Sequence, residues 1–417
     1  MTSTTDNNAK EINAKENNAK ENNAKENNVY IIAAKRTAIG SFQGQFANTS
    51  APHLGAEAIK ATIDEVSINQ NDIDEALIGC VLPAGLGQAP ARQAVLNAGL
   101  PLSVRCTTIN KVCGSGMKTV MMAHDTIKAG SAQLVIAGGI ESMTMAPYLL
   151  PKARGGYRMG HAQMLDHMFF DGLQNPYDGN MMGTFAEDCA DKYSYSREAQ
   201  DAFSTESVNR AMAAIESGAF ENEIAAVEVK SRRETIIIKQ DEEPAKCDIN
   251  KIPTLRPAFR KENGTVTAAN ASKISDGASM TLLASASYVE QQKLKPLAKI
   301  VGHHQYAHEP KWFTTAPVTA INQLLEKINW TVADVDLFEI NEAFAVVTMA
   351  AMEELNIPHE KVNVNGGATA LGHPIGASGN RILVTLIHAL KNRGLKKGIA
   401  SLCIGGGEAT AIAIELP

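Results

Sequence analysis

The sequence lacks the features that mark several common classes of protein. No apolar run reaches the length of a membrane-spanning helix, so we expect no membrane association. The formal net charge of −6 argues against general nucleic-acid binding. The six cysteines are scattered without a Cys-x-x-Cys pair, so they indicate neither a zinc site nor a disulfide framework. This usage fits a reducing compartment, and we expect a cytoplasmic protein that holds no metal.

Residues 1–28 have no apolar stripe with which to pack a core. The repeat Ala-Lys-Glu-Asn-Asn occurs at Ala14–Asn18, Ala19–Asn23 and Ala24–Asn28. Because this composition cannot bury apolar surface, we predict a disordered extension, with binding to a partner as the alternative. The segment has neither the hydrophobic run of a secretory signal nor the arginines of a mitochondrial presequence.

The remaining chain predicts an α/β fold in two related halves. Its length of 417 residues allows two or three domains or one large duplicated fold, and 44% hydrophobic residues provide ample core. Strands and helices alternate through residues 29–145, which predicts parallel sheet with helices on its faces. Residues 146–274 look like an inserted loop domain with one clear amphipathic helix, Ser196–Ser217. The first half resumes at about 275–296, and residues 297–417 form the second half.

Glycine-rich turns recur in the same order in both halves. Gly114–Gly116 opens a helix, and a strand at Gln133–Ala137 then ends in Gly138-Gly139. In the second half Gly376–Gly379 leads into a predicted helix, Asn380–Lys391, and the strand Gly398–Ile404 ends in Gly405–Gly407. The matched order indicates an internal duplication with two similar layers facing each other.

Cys113 is the first candidate for chemistry. It lies where a β-favouring run, Arg105–Ile109, gives way to a helical pattern, and small residues surround it. A helix N-terminus presents free N–H groups and a partial positive charge, both of which favour a reactive thiolate. A buried, inert cysteine is the alternative.

Three further candidates come from the second half. His373 lies in a glycine-rich loop, where either a chemical or a hydrogen-bonded structural role fits. Asn341 follows the predicted strand Asp336–Ile340, and α/β sites form at such strand ends. Capping of a predicted helix, Glu342–Leu355, explains Asn341 equally well. Cys403 lies within a strand and fits a core position better on pattern alone.

The three glycines after Cys403 expose backbone N–H groups that could bind an oxyanion. A nucleotide-binding loop is a weak alternative for Gly405–Gly407, since a strand rather than a helix follows.

Four ordered motifs in this sequence resemble those of the thiolases, and the resemblance covers about Val29 to Pro417. It implies the duplicated five-layer α/β/α/β/α thiolase fold with an inserted loop domain, and a dimer or a dimer of dimers, of which we expect the homotetramer. The motifs are Asn110-x-x-Cys113-x-Ser115-Gly116, Asn341-Glu342-Ala343-Phe344-Ala345, Asn365-Gly366-Gly367 through Gly372-His373-Pro374-Ile375-Gly376 to Ser378-Gly379, and Cys403-Ile404-Gly405-Gly406-Gly407.

The resemblance implies a role for each candidate. Cys113 resembles the nucleophile that is acylated, and His373 resembles the base that activates it. Cys403 resembles the cysteine that protonates the leaving carbanion or removes the α-proton. Asn341, through a water molecule, and His373 resemble the oxyanion site for the thioester enolate. The backbone N–H groups of Cys113 and Gly405 resemble a second oxyanion hole.

The implied activity is that of an acetyl-CoA C-acetyltransferase, which reversibly condenses two acetyl-CoA to acetoacetyl-CoA and CoA in fatty acid metabolism. Coenzyme A thioesters are the substrates, and no cofactor is implied. A broader-chain 3-ketoacyl-CoA thiolase and a catalytically silent acyl-CoA-binding homologue are the alternatives. Met181 stands where short-chain members commonly carry His, which predicts weaker chain-length discrimination. The positions implied for substrate binding are Leu173, Met181, Phe259, Ala268, Ser272 and Phe344.

Overall fold

The computed structural model describes residues 28–230 and 234–417. The predicted disordered tail, apart from Asn28, lies outside the described residues. The main strands of the described chain are β1 (Val29–Thr37), β2 (Gly40–Ser41), β3 (Glu75–Gly79), β4 (Arg105–Ile109), β5 (Leu134–Ser142), β6 (Tyr148–Leu149), β7 (Leu165–Asp166), β8 (Ile224–Ala225), β9 (Val227–Lys230), β10 (Thr235–Ile238), β11 (Ser275–Ser285), β12 (Ala298–Ala307), β13 (Leu337–Ile340), β14 (Lys397–Ile404) and β15 (Glu408–Glu415).

The α-helices alternate with these strands in both halves. They are α1 (Ala51–Asp64), α2 (Pro90–Asn97), α3 (Ser115–Lys128), α4 (Met182–Tyr193), α5 (Arg197–Glu216), α6 (Glu243–Lys246), α7 (Ala286–Gln291), α8 (Ala316–Ile328), α9 (Ala345–Leu355), α10 (Ala368–Leu371) and α11 (Ile375–Arg393). Shorter 3₁₀ or π turns lie at Gln70–Asp72, Ala153–Gly155, Phe169–Leu173, Ile249–Thr254, Pro310–Thr315, Val332–Asp334 and His359–Lys361.

The two halves carry sheets of matching strand order. The first runs β1-β11-β5-β3-β4 and the second β12-β15-β14-β13, and a short antiparallel contact between β1 and β12 joins them. In each sheet the first two strands, β1 with β11 and β12 with β15, pair antiparallel. Further along, β5 pairs with β3 and β14 pairs with β13, both parallel. The same order and directions occur twice along the chain, so the predicted duplication is present in the structure.

Five layers result, because each sheet is covered on both faces. Helices α1 and α2 pack on the outer face of the first sheet, and α8 and α9 pack on the outer face of the second. Helices α3 and α11 lie between the sheets, in one apolar cluster with residues of both. Every residue of α11 from Ile375 to Leu390 is buried, as expected of a helix with no solvent face. The predicted five-layer α/β/α/β/α architecture is confirmed.

Two predicted boundaries beside the central helices are wrong, for a shared reason. Strand β5 continues past Gly138-Gly139 to Ser142, and α11 begins at Ile375, so that Gly376 and Gly379 lie inside the helix. A Cβ atom on Gly139 would lie 1.9 Å from the carbonyl oxygen of Gly376. These glycines allow close contact between packed backbones and do not interrupt the elements.

The inserted residues contain a helix that the sequence pattern did not reveal. Helix α4 precedes the predicted amphipathic helix, which is α5, and packs its buried residues on the second half. A buried arginine ties β1 to this region, since Arg36 pairs with Glu223 at 2.6 Å and with Asp241 at 2.7 Å. The insertion is thus anchored to the first sheet as well as to the second half.

Candidate active site

A tight turn between β4 and α3 presents Cys113. The residue before it, Val112, has a φ of +44°, a conformation that is strained for a β-branched side chain. Nearby side chains hold this turn: Asn110 Oδ1 accepts the Val112 N–H at 2.9 Å, and Ser115 Oγ accepts the Lys111 N–H at 2.8 Å. Ser115 Oγ also donates to the Val112 carbonyl at 2.7 Å. The cysteine is therefore fixed two residues before the start of α3.

Two backbone N–H groups near the Cys113 sulfur, that of Gly405 and its own, lower its pKa. Burial nevertheless raises its pKa to about 11; the two N–H donors lower it less, and the carboxylate of Glu141 adds to the rise. The predicted stabilised thiolate is therefore wrong for the free protein, because desolvation outweighs the helix start. Cys113 is a thiol at neutral pH, and its use as a nucleophile requires a base.

His373 has the protonation state that such a base needs. Its Nδ1 lies 2.6 Å from Ser378 Oγ, and that hydroxyl donates its own proton to the Pro374 carbonyl at 2.9 Å. Nδ1 must therefore carry the imidazole proton, which leaves a lone pair on Nε2. Nε2 is buried without a partner. Burial, assisted by the charge of Arg381, lowers the pKa of His373 to about 3, so the ring is neutral at physiological pH.

Asn341 follows β13 and has an unpartnered side chain. Its N–H donates to the Ser401 carbonyl at 3.0 Å, which places it beside β14. Helix α9 begins only at Ala345, with Phe344 as its N-cap residue, so helix capping does not explain Asn341. Both side-chain polar atoms are buried without a hydrogen-bond partner. Such groups are rare in folded proteins and are available to a substrate or a water molecule.

The neighbouring residue, Glu342, has a structural role. Its carboxylate accepts the hydroxyls of Ser207 at 2.8 Å and Thr369 at 2.6 Å, and the Asn363 amide at 2.8 Å. These bonds join α5, the segment after β13 and the loop before α10. A fully partnered carboxylate next to an unpartnered amide separates the two roles: Glu342 fixes the chain, and Asn341 is left free for chemistry.

Cys403 lies on β14 and is 1% exposed. Burial raises its pKa well above 9.0, and Cys113, when ionised, raises that pKa further, so the two sulfurs are electrostatically coupled. A close contact between their neighbours brings them together, because a Cβ on Gly114 would lie 2.3 Å from Ile404 Cδ1. Cys403 is therefore buried in the core, as its strand pattern predicts, and it also lies beside Cys113.

The starts of α3 and α11 meet at the same place. A Cβ on Gly116 would lie 2.9 Å from the Asn380 nitrogen, and a Cβ on Gly379 would lie 2.5 Å from the Met117 nitrogen. Ile375, two residues after His373, also belongs to the apolar cluster against which Cys113 packs. The structure therefore brings Cys113, His373, Asn341, Cys403 and Gly405 to one end of the two sheets.

Residues implied in substrate binding fall into groups around the two sulfurs. Phe259 and Phe344 meet edge to face at 6.1 Å and share an apolar cluster with Cys403. Ser272 donates its N–H to the Ala343 carbonyl at 2.9 Å, beside Phe344. Leu173 packs against the cluster that also contacts Cys113.

The remaining two implied positions are less central. Met181 is half-buried at the start of α4, in a backbone bridge with Gln174, while the next residue, Met182, is the one that packs with Cys403. Ala268 is exposed, and its carbonyl accepts the Lys273 ammonium.

One residue at this place was missed by the sequence analysis. Glu141, at the end of β5, is fully buried and accepts the N–H groups of Val81 and Leu82 at 3.1 Å and Gly376 at 2.8 Å. Burial raises its pKa to about 7. The rule that drew attention to Asn341, a polar side chain at a strand's end, applies here too. Ending the predicted strand at Ala137 hid it.

Within the described ranges, one group of side chains is placed to hold a metal ion, namely His124, Asp125 and His303. It lies along α3, away from Cys113. None of the helices in the described ranges is long and apolar enough to span a membrane.

Comparisons with known proteins agree over nearly the whole described chain. Residues 29–287 match the family model of the thiolase N-terminal domain, and residues 294–416 match that of the thiolase C-terminal domain. An acetyl-CoA acetyltransferase of Chromobacterium violaceum is 50% identical over 93% of this chain and 100% of its own length. One from Escherichia coli is 49% identical over 92% of this chain and 98% of its own.

A solved structure gives the same result for the fold. The crystal structure of the Bacillus anthracis acetyl-CoA acetyltransferase superposes with a TM-score of 0.91 at 41% identity, covering 94% of this chain and 99% of that one. Both domain models match in order, and together they span the sheets, the central helices and the clustered side chains described above. The chain belongs to the thiolase family.

Proposed function

We propose that this thiolase is an acetyl-CoA C-acetyltransferase that interconverts two acetyl-CoA with acetoacetyl-CoA and CoA. Its relatives at 46–50% identity bear the name acetyl-CoA acetyltransferase. The observation that carries the chemistry is a site that holds the Cys113 thiol, the nearby Gly405 N–H and the unpartnered neutral imidazole of His373. A silent acyl-CoA-binding homologue would have no need for that combination.

In the thiolysis direction, His373 Nε2 takes the proton of Cys113, and the sulfur attacks the 3-carbonyl carbon of acetoacetyl-CoA. The N–H groups of Cys113 and Gly405 stabilise the oxyanion. The bond between C2 and C3 then breaks, leaving an acetyl group on Cys113 and an acetyl-CoA carbanion as its enolate. Asn341, through a water molecule, and the protonated His373 bind the enolate oxygen.

Cys403 donates its proton to the carbanion and releases acetyl-CoA. A raised pKa suits it to this step, because the thiol arrives protonated. CoA then attacks the acetyl-cysteine while its thiol proton passes to Cys403. The Cys113 sulfur leaves and recovers its proton from His373. Condensation is the same path in reverse, and dividing it at a thioester replaces one hard step by two easier ones.

The central test separates acyl transfer from carbon–carbon chemistry. Cys403→Ala should still take up one acetyl group on Cys113 from acetyl-CoA, detected by mass spectrometry, yet lose thiolysis of acetoacetyl-CoA. Cys113→Ala should lose both, and Cys106→Ala, at a partly exposed cysteine on β4, serves as the control. Near-normal turnover in Cys403→Ala would show that Cys403 is not the proton donor to the carbanion.

A broader-chain 3-ketoacyl-CoA thiolase is a second candidate for two reasons. The wall near Cys403 is lined by apolar side chains, Phe259, Phe344 and Met182, and Met181 stands at the position expected for His in short-chain members. Thiolysis rates with 3-ketoacyl-CoA substrates of increasing length decide between the two. A preference for chains beyond four carbons would favour the second candidate.

For the assembly we propose a homotetramer, a dimer of dimers, in the cytoplasm. Large apolar side chains are exposed within residues 145–177, including Tyr148 at 62%, Met159 at 97% and Tyr177 at 74%, and a second copy would cover them. All six cysteines are free, as suits a reducing compartment. A place in fatty acid metabolism follows from the acetyl-CoA chemistry, and CoA thioesters are the substrates without a separate cofactor. Light scattering on the purified protein tests the assembly.

A further inference from the structure

A cluster outside the active site joins the two halves of the fold. His124 and Asp125 lie near the end of α3 in the first half, and His303 lies on β12 in the second. His124 Nδ1 and His303 Nε2 each lie 2.9 Å from Asp125 Oδ1, and the two nitrogens are 3.2 Å apart. Three ligand-type atoms therefore form a nearly equilateral triangle.

Hydrogen bonds alone satisfy this triangle poorly. Each ring nitrogen lies within hydrogen-bond distance of two other atoms, and the two directions differ widely. A proton on that nitrogen can therefore point well at only one of them. If both rings donate to the carboxylate oxygen, two N–H groups are forced together at 3.2 Å. If one ring donates to the other, one carboxylate contact loses its proton. A cation at the centre uses all three lone pairs at once.

The spacing matches the ligand sphere of a transition-metal ion. Atoms bound about 2.0–2.1 Å from Zn²⁺, at angles of roughly 90–109°, lie about 2.9–3.4 Å from one another. Two imidazoles and one carboxylate on one side of an ion form a facial set that leaves positions for water. Imidazole ligands favour ions of the late first row over Mg²⁺ or Ca²⁺.

The surroundings of the triangle leave a path for an ion from the solvent, but they also include positive charges that repel it. His124 is 7% exposed, while the Asp125 side chain is 61% exposed, so an ion reaches the triangle from the solvent side. Burial lowers the pKa of both histidines, which keeps them neutral and able to bind. Three lysines oppose a dication: Lys118 and Lys128 on α3, and Lys327 on α8, whose ammonium donates to the His303 carbonyl.

We propose that His124, Asp125 and His303 form a binding site for a divalent late first-row transition ion, with Zn²⁺ as the reference ligand. The ion cross-links α3 to β12 and so joins the two halves. His124 lies nine residues along α3 from Ser115, roughly 14 Å from the helix start next to Cys113. The bound ion is therefore expected to change the stability of the protein and not the rate of acyl transfer.

The test uses untagged full-length protein stripped of metal with a chelator. Titration with Zn²⁺ should show one equivalent bound per chain, and melting temperature should rise. Because the active-site cysteines could also bind Zn²⁺, a Co²⁺ spectrum identifies the ligands. Nitrogen and oxygen ligation gives no thiolate-to-metal charge-transfer band. Thiolysis of acetoacetyl-CoA should proceed at the same rate with and without the ion at this site.

Two conservative variants locate the site. Asp125→Asn and His303→Gln should each weaken Zn²⁺ binding at least about tenfold, since even indirect support of a metal ligand is worth that much. His304→Gln is the matched control, because His304 is the next residue on β12 and bonds Gln323 instead, at 2.8 Å. Unchanged binding in both ligand variants, or a Zn²⁺ complex that shows only thiolate ligation, overturns the proposal. A hydrogen-bonded cluster alone would give no melting shift with Zn²⁺, which overturns it equally.

Discussion

Replacing Ser378 by Ala removes the group that fixes the proton on His373. The hydroxyl accepts the Nδ1–H at 2.6 Å and donates to the Pro374 carbonyl at 2.9 Å, where Ser378 lies in the buried first turn of α11 and His373 and Pro374 directly precede the helix. Without it the imidazole has no acceptor for Nδ1–H, and the proton is free to move to Nε2. A ring protonated at Nε2 and neutral overall cannot accept the Cys113 proton.

The size of the effect follows from the bond that is lost. A buried donor left without a partner costs about 1–3 kcal/mol. If this cost falls on the base-competent form, kcat/KM drops by about 5- to 150-fold, since each factor of ten corresponds to about 1.4 kcal/mol. The backbone of His373 stays in place, because its N–H still donates to the Lys273 carbonyl at 3.0 Å.

Two measurements on the same variant test this reasoning. Thiolysis of acetoacetyl-CoA gives kcat/KM, and the rate of iodoacetamide alkylation of Cys113, followed by mass spectrometry, reports removal of the thiol proton. Both should fall by a similar factor in Ser378→Ala. Ser401→Ala is the control, since that buried serine also donates to a backbone carbonyl, Thr410 at 2.9 Å, but does not contact His373. Equal losses in the two variants, or normal Cys113 alkylation in Ser378→Ala, would refute the assigned tautomer.

Three other predictions follow from the site. Alkylation of Cys113 should rise through pH 9 without a plateau near pH 7, because burial raises its pKa to about 11; a plateau below pH 8 would indicate a stabilised thiolate. Met181→His should narrow the range of 3-ketoacyl chains cleaved, as each methylene accepted by an apolar pocket is worth roughly 1 kcal/mol. An unchanged chain-length profile in that variant would place Met181 outside the pocket. Gly116→Ala should destabilise the protein strongly in thermal melts, because the added Cβ would lie 2.9 Å from the Asn380 nitrogen; a wild-type melting temperature contradicts that packing.

The candidates for chemistry were available from the sequence because each lies in a local pattern. Cys113 follows a strand and precedes a helix, Asn341 ends a strand, and His373 and Gly405 lie among glycines. Alternation of strands and helices, repeated twice, was enough to predict two facing sheets. The four ordered motifs then narrowed the fold to one family. Patterns of this kind involve residues that are close in the sequence, so they can be recognised without a structure.

The tertiary structure determined the protonation states of those residues and the ends of the helices and strands around them. Burial overrides the two N–H donors at Cys113, and a hydroxyl five residues away in the chain sets the tautomer of His373. Gly139 and Gly376 looked like ends of elements, yet they lie inside β5 and α11 because two backbones cross there. Desolvation and contacts between distant segments depend on the whole packed fold, so no local pattern contains them. The same holds for His124 and His303, which only the closing of one half on the other brings to 3.2 Å.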